Sequence, residues 1–145
     1  MTTWVCSDLH LFHSNMLRGQ KIGIRPFHNL EQMHDAIITG WNSVVKPNDK
    51  VYMLGDLTLE RPKKTDTWWN WPERLQDVSV LCSRLQGKKR LLLGNHDHLV
   101  IDEYYLLGFE KVLAYRELSG LILSHIPMHP NQMVRFKGNV HGHTH

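Results

Sequence analysis

A chain of 145 residues with 41% hydrophobic content can bury one real core and is too short for two ordinary domains, so a single compact domain over 1–145 is expected. The formal charge of +3, with basic residues clustered only at Lys63-Lys64 and Lys88-Lys89-Arg90, argues against a nucleic-acid footprint while allowing an anionic substrate. No run approaches the roughly twenty apolar residues of a membrane helix, and two distant cysteines, Cys6 and Cys82, make no disulfide framework, so a cytoplasmic protein with buried thiols and no membrane partner is expected.

In chain order, the first strand is expected at Trp4-Val5-Cys6. Apolar positions Leu30, Met33, His34, Ile37 and Trp41 then recur at helical spacing, with Asn29 as N-cap and Gln32 three residues later as its capping-box partner. Val51-Tyr52-Met53-Leu54 reads as the second strand. Arg61 to Trp71 breaks the pattern with Pro, Lys and three tryptophans, and reads as an exposed loop that either packs its aromatics back on the domain or contacts substrate as a lid. A second helix is expected through Leu75, Val78, Leu81, Cys82 and Leu85, between Pro72 and Gly87. The third strand is Leu91-Leu92-Leu93. A short helix over Leu99 to Leu107 should stop at Gly108, Phe109 to Tyr115 should be extended, and further strands are expected at Leu121-Ile122-Leu123 and, more weakly, around Val140. The alternation of strand and helix is an α/β pattern.

Eleven histidines are far more than a core normally accommodates, and their positions matter more than their number. Each expected strand ends in groups suited to binding metal: Asp8 and His10 after the first, Asp56 after the second, Asn95 and His96 after the third, His125 after the fourth, and His143 and His145 after the fifth. In an open α/β sheet the carboxyl ends of the strands converge on one crevice, which would collect all of these groups. Carboxylate, imidazole and amide together suit manganese, iron, zinc or nickel and fit calcium poorly. The number of ligands implies two divalent ions, and one carboxylate, Asp56, is suited to bridge them because its two oxygens can be shared.

Asp8-Leu9-His10, Gly55-Asp56, Gly94-Asn95-His96-Asp97, His125 and Gly142-His143-Thr144-His145, in that order, resemble the calcineurin-like metallophosphoesterase superfamily across almost the whole chain. The resemblance implies a β-sandwich flanked by helices. It also implies that Asp8, His10, Asp56 and His145 hold one ion and that Asp56, Asn95, His125 and His143 hold the other, with manganese the expected metal. Water activated between the ions would attack phosphorus. His96 resembles the family's catalytic histidine, which contacts the phosphoryl group and protonates the leaving oxygen, and Asp97 is expected to orient it. The opening segment Asp8 to Asn15, followed by Arg25-Pro26-Phe27 and Trp41-Asn42, looks like a small bacterial and phage branch of that superfamily, which implies no particular substrate.

The remaining histidines divide. His28, His34 and His98 read as surface or core groups, whereas His13, His129 and His141 lie two to four residues from a proposed ligand, and His13 is expected to be functional. Gly55, Gly94 and Gly142 are expected to free the backbone where strands turn to present ligands. Arg18, Arg25 and Arg135 fit a phosphate contact or a solvated surface equally well. His145 is both the last motif residue and the last residue, so it is expected to be mobile unless held; either its free carboxylate itself coordinates metal or the sequence is a shortened form of a longer product.

Two classes of function remain at this point. The enzyme reading is hydrolysis of a small phosphate monoester or diester, possibly nucleotide-like, with a nuclease as the alternative within that class. The binding reading is a scaffold that has lost catalysis, which would be expected to show substitutions at Asp8, Asp56 or His96, and these positions are filled.

Overall fold

The structure is a computed structural model that describes residues 1–59 and 73–145; the Trp-rich segment Arg61 to Trp71 lies outside them. Among the described residues, seven strands and three α-helices follow in the order β1 (Thr3–Cys6), α1 (Leu30–Val44), β2 (Lys50–Met53), α2 (Glu73–Arg84), β3 (Lys88–Leu92), α3 (Ile101–Leu106), β4 (Phe109–Leu113), β5 (Arg116–Leu118), β6 (Leu121–Ser124) and β7 (Gly138–His141). Strands β1 to β4 form one parallel sheet in sequential order, each joined to the next by a helical crossover. Strands β5, β6 and β7 form a second sheet in which β5 is antiparallel and β7 parallel to β6.

Alternation along the strands divides the interior into two cores. Val51 and Met53 of β2 and Leu91 of β3 face the helices and pack with Ile38 and Trp41 of α1, Leu75, Val78 and Leu81 of α2, and Tyr104 of α3. Tyr52, Leu54 and Leu92 face the other way and meet Leu123 of the second sheet, with Leu113, Leu118 and Val140 against them. The molecule is therefore layered as helices, parallel sheet and second sheet, in one α/β domain. Each fully buried Leu or Met in these cores contributes roughly 1.5–3 kcal/mol of transfer free energy.

Local signals act where the sequence places them. Asn29 caps α1, its Oδ1 accepting the Gln32 amide at 2.9 Å, while Gln32 Oε1 accepts from the His28 amide, one residue before the usual capping-box partner. α3 ends as expected, with Gly108 at φ +89°. β5 went unread because two of its three residues, Arg116 and Glu117, are charged and exposed. Ser119 and Gly120, at φ +53° and +82°, make the tight turn that folds β5 onto β6, with Leu118 opposite Leu121.

The cysteines are unpaired, and burial pushes both thiols up to about 12. Among the described residues, no helix is long and apolar enough to cross a membrane.

Candidate metal centre

Beyond the strand ends the chain continues in irregular backbone that stays laced together. The amides of Asp8, His10 and Leu11 donate to the carbonyls of Gly55, Asp56 and Leu57 at 3.1, 2.9 and 2.8 Å, so the loops after β1 and β2 run side by side. Left-handed backbone is concentrated here. Asp8, His10, Asp56, His143 and His145 have φ of 56°, 48°, 55°, 71° and 53°, and they make up five of the seven non-glycine residues with positive φ among those described. Each costs of order 1–3 kcal/mol, a strain that clusters where side chains must be aimed rather than relaxed.

Three glycines allow the loops to approach. A Cβ on Gly94 would collide with the carboxylate and amide of Asp56, and one on Gly142 with Ser7 Oγ and Asp8 Oδ2. Gly55 meets both demands, with φ +85° and a Cβ that would collide with His125 Nδ1 and the Gly94 backbone; Gly94 and Gly142 are needed for space alone, where a turn conformation is expected from the sequence.

All seven expected ligands converge. Ligand atoms of Asp8, His10 and His145 lie within 4.8 Å of one another, as do those of Asp56, His125 and His143. Asn95 joins the second group, its Oδ1 2.8 Å from His125 Nε2 and 2.9 Å from His143 Nδ1. Buried Asp56 lies between the groups: its Oδ2 is 3.6 Å from His10 Nε2 and 3.4 Å from His125 Nε2. His145 reaches the first group, its Nε2 3.4 Å from Asp8 Oδ1 and 3.2 Å from His10 Nε2.

The donor chemistry fits cations. His125 Nδ1 lies 2.7 Å from the Leu54 carbonyl and donates to it, so in the neutral ring Nε2 is a bare lone pair. With Nδ1 donating, Nε2 faces the Asn95 and Asp56 oxygens at 2.8 and 3.4 Å, a cluster of donor atoms that a cation would bring together. At His10, burial, opposed by the Asp56 carboxylate, pushes the imidazole down to about 4, which keeps a lone pair free near neutral pH.

The surrounding residues hold these groups in place. Asp97 accepts the amides of Asp56 and Gly94 on Oδ2 and of Leu57 on Oδ1, all at 2.8–2.9 Å, while Asp56 Oδ1 accepts the His96 amide at 2.9 Å. The two loops thereby brace one another. Burial and the neighbouring Asp56 raise the Asp97 carboxyl above its usual range, and the three amides work against them. These bonds differ from the expected role: Asp97 orients backbone, and its described hydrogen bonds do not include the His96 ring. That ring lies 5.5 Å from the His10 ring, with Nδ1 buried and without a hydrogen-bond partner among the described residues.

His13 and Arg25 support the first group. His13 is buried, with Nδ1 3.3 Å from His10 Nδ1, and burial followed by the nearby His96 lowers its imidazole below the usual range. Arg25 donates to the carbonyls of Asp8 and Leu9 at 2.5 and 2.6 Å, so it clamps the ligand loop and its guanidinium faces backbone. The sequence left its role open; the only hint was the Arg25-Pro26-Phe27 run. His34 is a buried core group whose Nε2 accepts the Phe12 amide at 3.1 Å. His28, His98, His129 and His141 do not join either group.

Residues 1–143 match the family described as calcineurin-like phosphoesterase. The chain is 30% identical over 175 residues to the Gene 66 protein of Mycobacterium phage L5, covering 99% of this chain and 77% of that protein. It is 35% identical over 94 residues to an uncharacterized protein of Methanocaldococcus jannaschii, covering 65% of this chain and 46% of that one. A crystal structure of a protein of unknown function from Aquifex aeolicus has a TM-score of 0.57 at 28% identity, covering 86% of this chain and 60% of that chain. Phage and archaeal relatives agree with the small branch expected from the opening segment.

Proposed function

The chain belongs to the calcineurin-like phosphoesterase family, and on that premise we propose that it is a dinuclear-metal-dependent phosphoesterase acting on a small, nucleotide-like phosphate diester or monoester. The observation that carries this reading is Asp56 Oδ2, which is buried and within 3.6 Å of an imidazole nitrogen of each donor group. Such an oxygen offsets charge on both sides at once, which suits two neighbouring cations.

Asp8, His10, Asp56 and His145 would hold one ion, and Asp56, Asn95, His125 and His143 the other, with manganese the leading candidate and iron, zinc or nickel also suited to the donor set. When bound, the ions supply electrophilic activation of the phosphoryl oxygens and acidification of the attacking water. The chain's own groups do the rest. Burial keeps His10 neutral, and the Leu54 hydrogen bond aims His125. With Nδ1 buried, Nε2 of His96 is the ring nitrogen left to hold the proton for the leaving oxygen. A cytoplasmic location belongs to the same reading and is supported by the two unpaired cysteines.

Metal-stripped protein given manganese, nickel, zinc or magnesium should hydrolyse bis-p-nitrophenyl phosphate or p-nitrophenyl phosphate, and the ratio of the two rates separates diester from monoester preference. Asp56→Asn should lose turnover and bind less metal, because the shared charge goes while the shape stays. Full activity in Asp56→Asn would sink the two-metal reading.

A further inference from the structure

Next to the second donor group, at the seam between the two sheets, lies a cavity of about 430 Å³. It falls within the roughly 300–1,000 Å³ typical of small-ligand sites. Asn95 and His125 line it on the metal side, and Leu93, Tyr115, Ile126 and Met128 supply an apolar wall. Among the described residues, no Lys, Arg, Asp or Glu lines it. The lining hydroxyl of Ser124 is already committed: it donates to the Ile126 carbonyl at 2.7 Å and accepts from Asn139 Nδ2 at 2.9 Å.

We propose that this cavity binds the planar aromatic group of the substrate, a nucleobase or similar ring, while the phosphate attached to it sits at the donor groups. The inference rests on the phosphoesterase reading above and adds the class of organic group. An uncharged wall beside a cationic centre separates the two halves of a nucleotide by their chemistry: the anion goes to the metal side, and the ring leaves water for an apolar surface. Tyr115 is 61% exposed and Ile126 55% exposed, an apolar pair that solvent pays to keep uncovered and that a stacked ring would cover. With the Ser124 hydroxyl committed and Asn95 and His125 turned to the donor groups, the wall recognises the flat face of a base more than its edge, so purine and pyrimidine should both be accepted.

The test is isothermal titration of manganese-loaded protein with adenosine 5′-monophosphate and with ribose 5-phosphate, which differ only in the base. The base should improve affinity about tenfold, as stacking on one aromatic side chain does. Tyr115→Ala and Ile126→Asp, both at exposed positions where folding is little at risk, should bring the ratio of the two affinities to about one. A ratio near one in the wild-type protein, no binding of either ligand, or a ratio that survives both substitutions overturns the proposal. Phosphatase assays on the same samples separate this from the reading it rests on: hydrolysis without a base effect removes the cavity's role alone, whereas a base effect without hydrolysis under any metal keeps the cavity as a nucleotide site and removes the phosphoesterase reading.

Discussion

The two donor groups are built differently. In the second group His125 directly follows β6 and is held by the Leu54 carbonyl, the Asp97 carboxylate braces the loops carrying Asp56 and Asn95, and His143 joins from the loop after β7. In the first group the loop carrying Asp8 and His10 is laced by backbone to the loop after β2, and side chains add to that hold, Arg25 gripping the carbonyls after β1 and His13 touching the far nitrogen of His10. His145 is 29% exposed, against 3% for His125. The second group is therefore anchored at its buried part, His125 and Asp56, while the first leans in addition on Arg25 and His13, side chains that can be removed singly.

The largest effect is expected from the piece both groups share. Asp97→Ala would strand three backbone amides, at about 1–3 kcal/mol each if they stay buried, so chemical denaturation should show a loss of roughly 3 kcal/mol or more, with metal lost from both groups. Normal stability would mean that the loops hold each other without the brace.

His96→Ala should cut turnover about a hundredfold at unchanged metal content, because the ring lies against the first group while only its backbone amide engages Asp56. Loss of metal in that variant would make His96 a support for the centre. His13→Ala should weaken one ion about tenfold and leave the other alone, readable by cobalt titration followed in the visible spectrum. Equal weakening of both ions would erase the contrast between the groups.

The smallest effect concerns the buried imidazole under the first loop. Burial, partly opposed by Asp35, lowers His34, so the unfolded chain binds its proton at a higher pH than the folded one. Its share of stability is therefore complete above the ordinary histidine value of about 6.5 and is lost as pH falls below it. Denaturation midpoints at pH 8 and pH 5.5 should differ less for His34→Gln than for the wild-type chain, since glutamine can accept the Phe12 amide without titrating. An equal drop in both would assign the acid sensitivity to other groups.

Much of the fold was legible because its signals are local. Helical spacing, the Asn29 cap and the Gly108 stop act within a few residues, and the β-branched and aromatic runs of the parallel sheet are long enough to read. β5 was not legible, since an exposed three-residue strand carries almost no hydrophobic pattern. The ligand set was open to reading from motif order, and the structure gathers all seven residues at one edge.

The sequence by itself determined which residue types end the strands, and with them the α/β pattern and the metal chemistry, because periodicity and donor character belong to the residues. Only the tertiary structure decided that Asp97 braces backbone, that Gly94 and Gly142 are there for space, and that Tyr115, Ile126 and Met128 meet beside Asn95. Those facts are relations between segments far apart in the chain, brought within reach by packing and hydrogen bonds that leave no local trace in either segment.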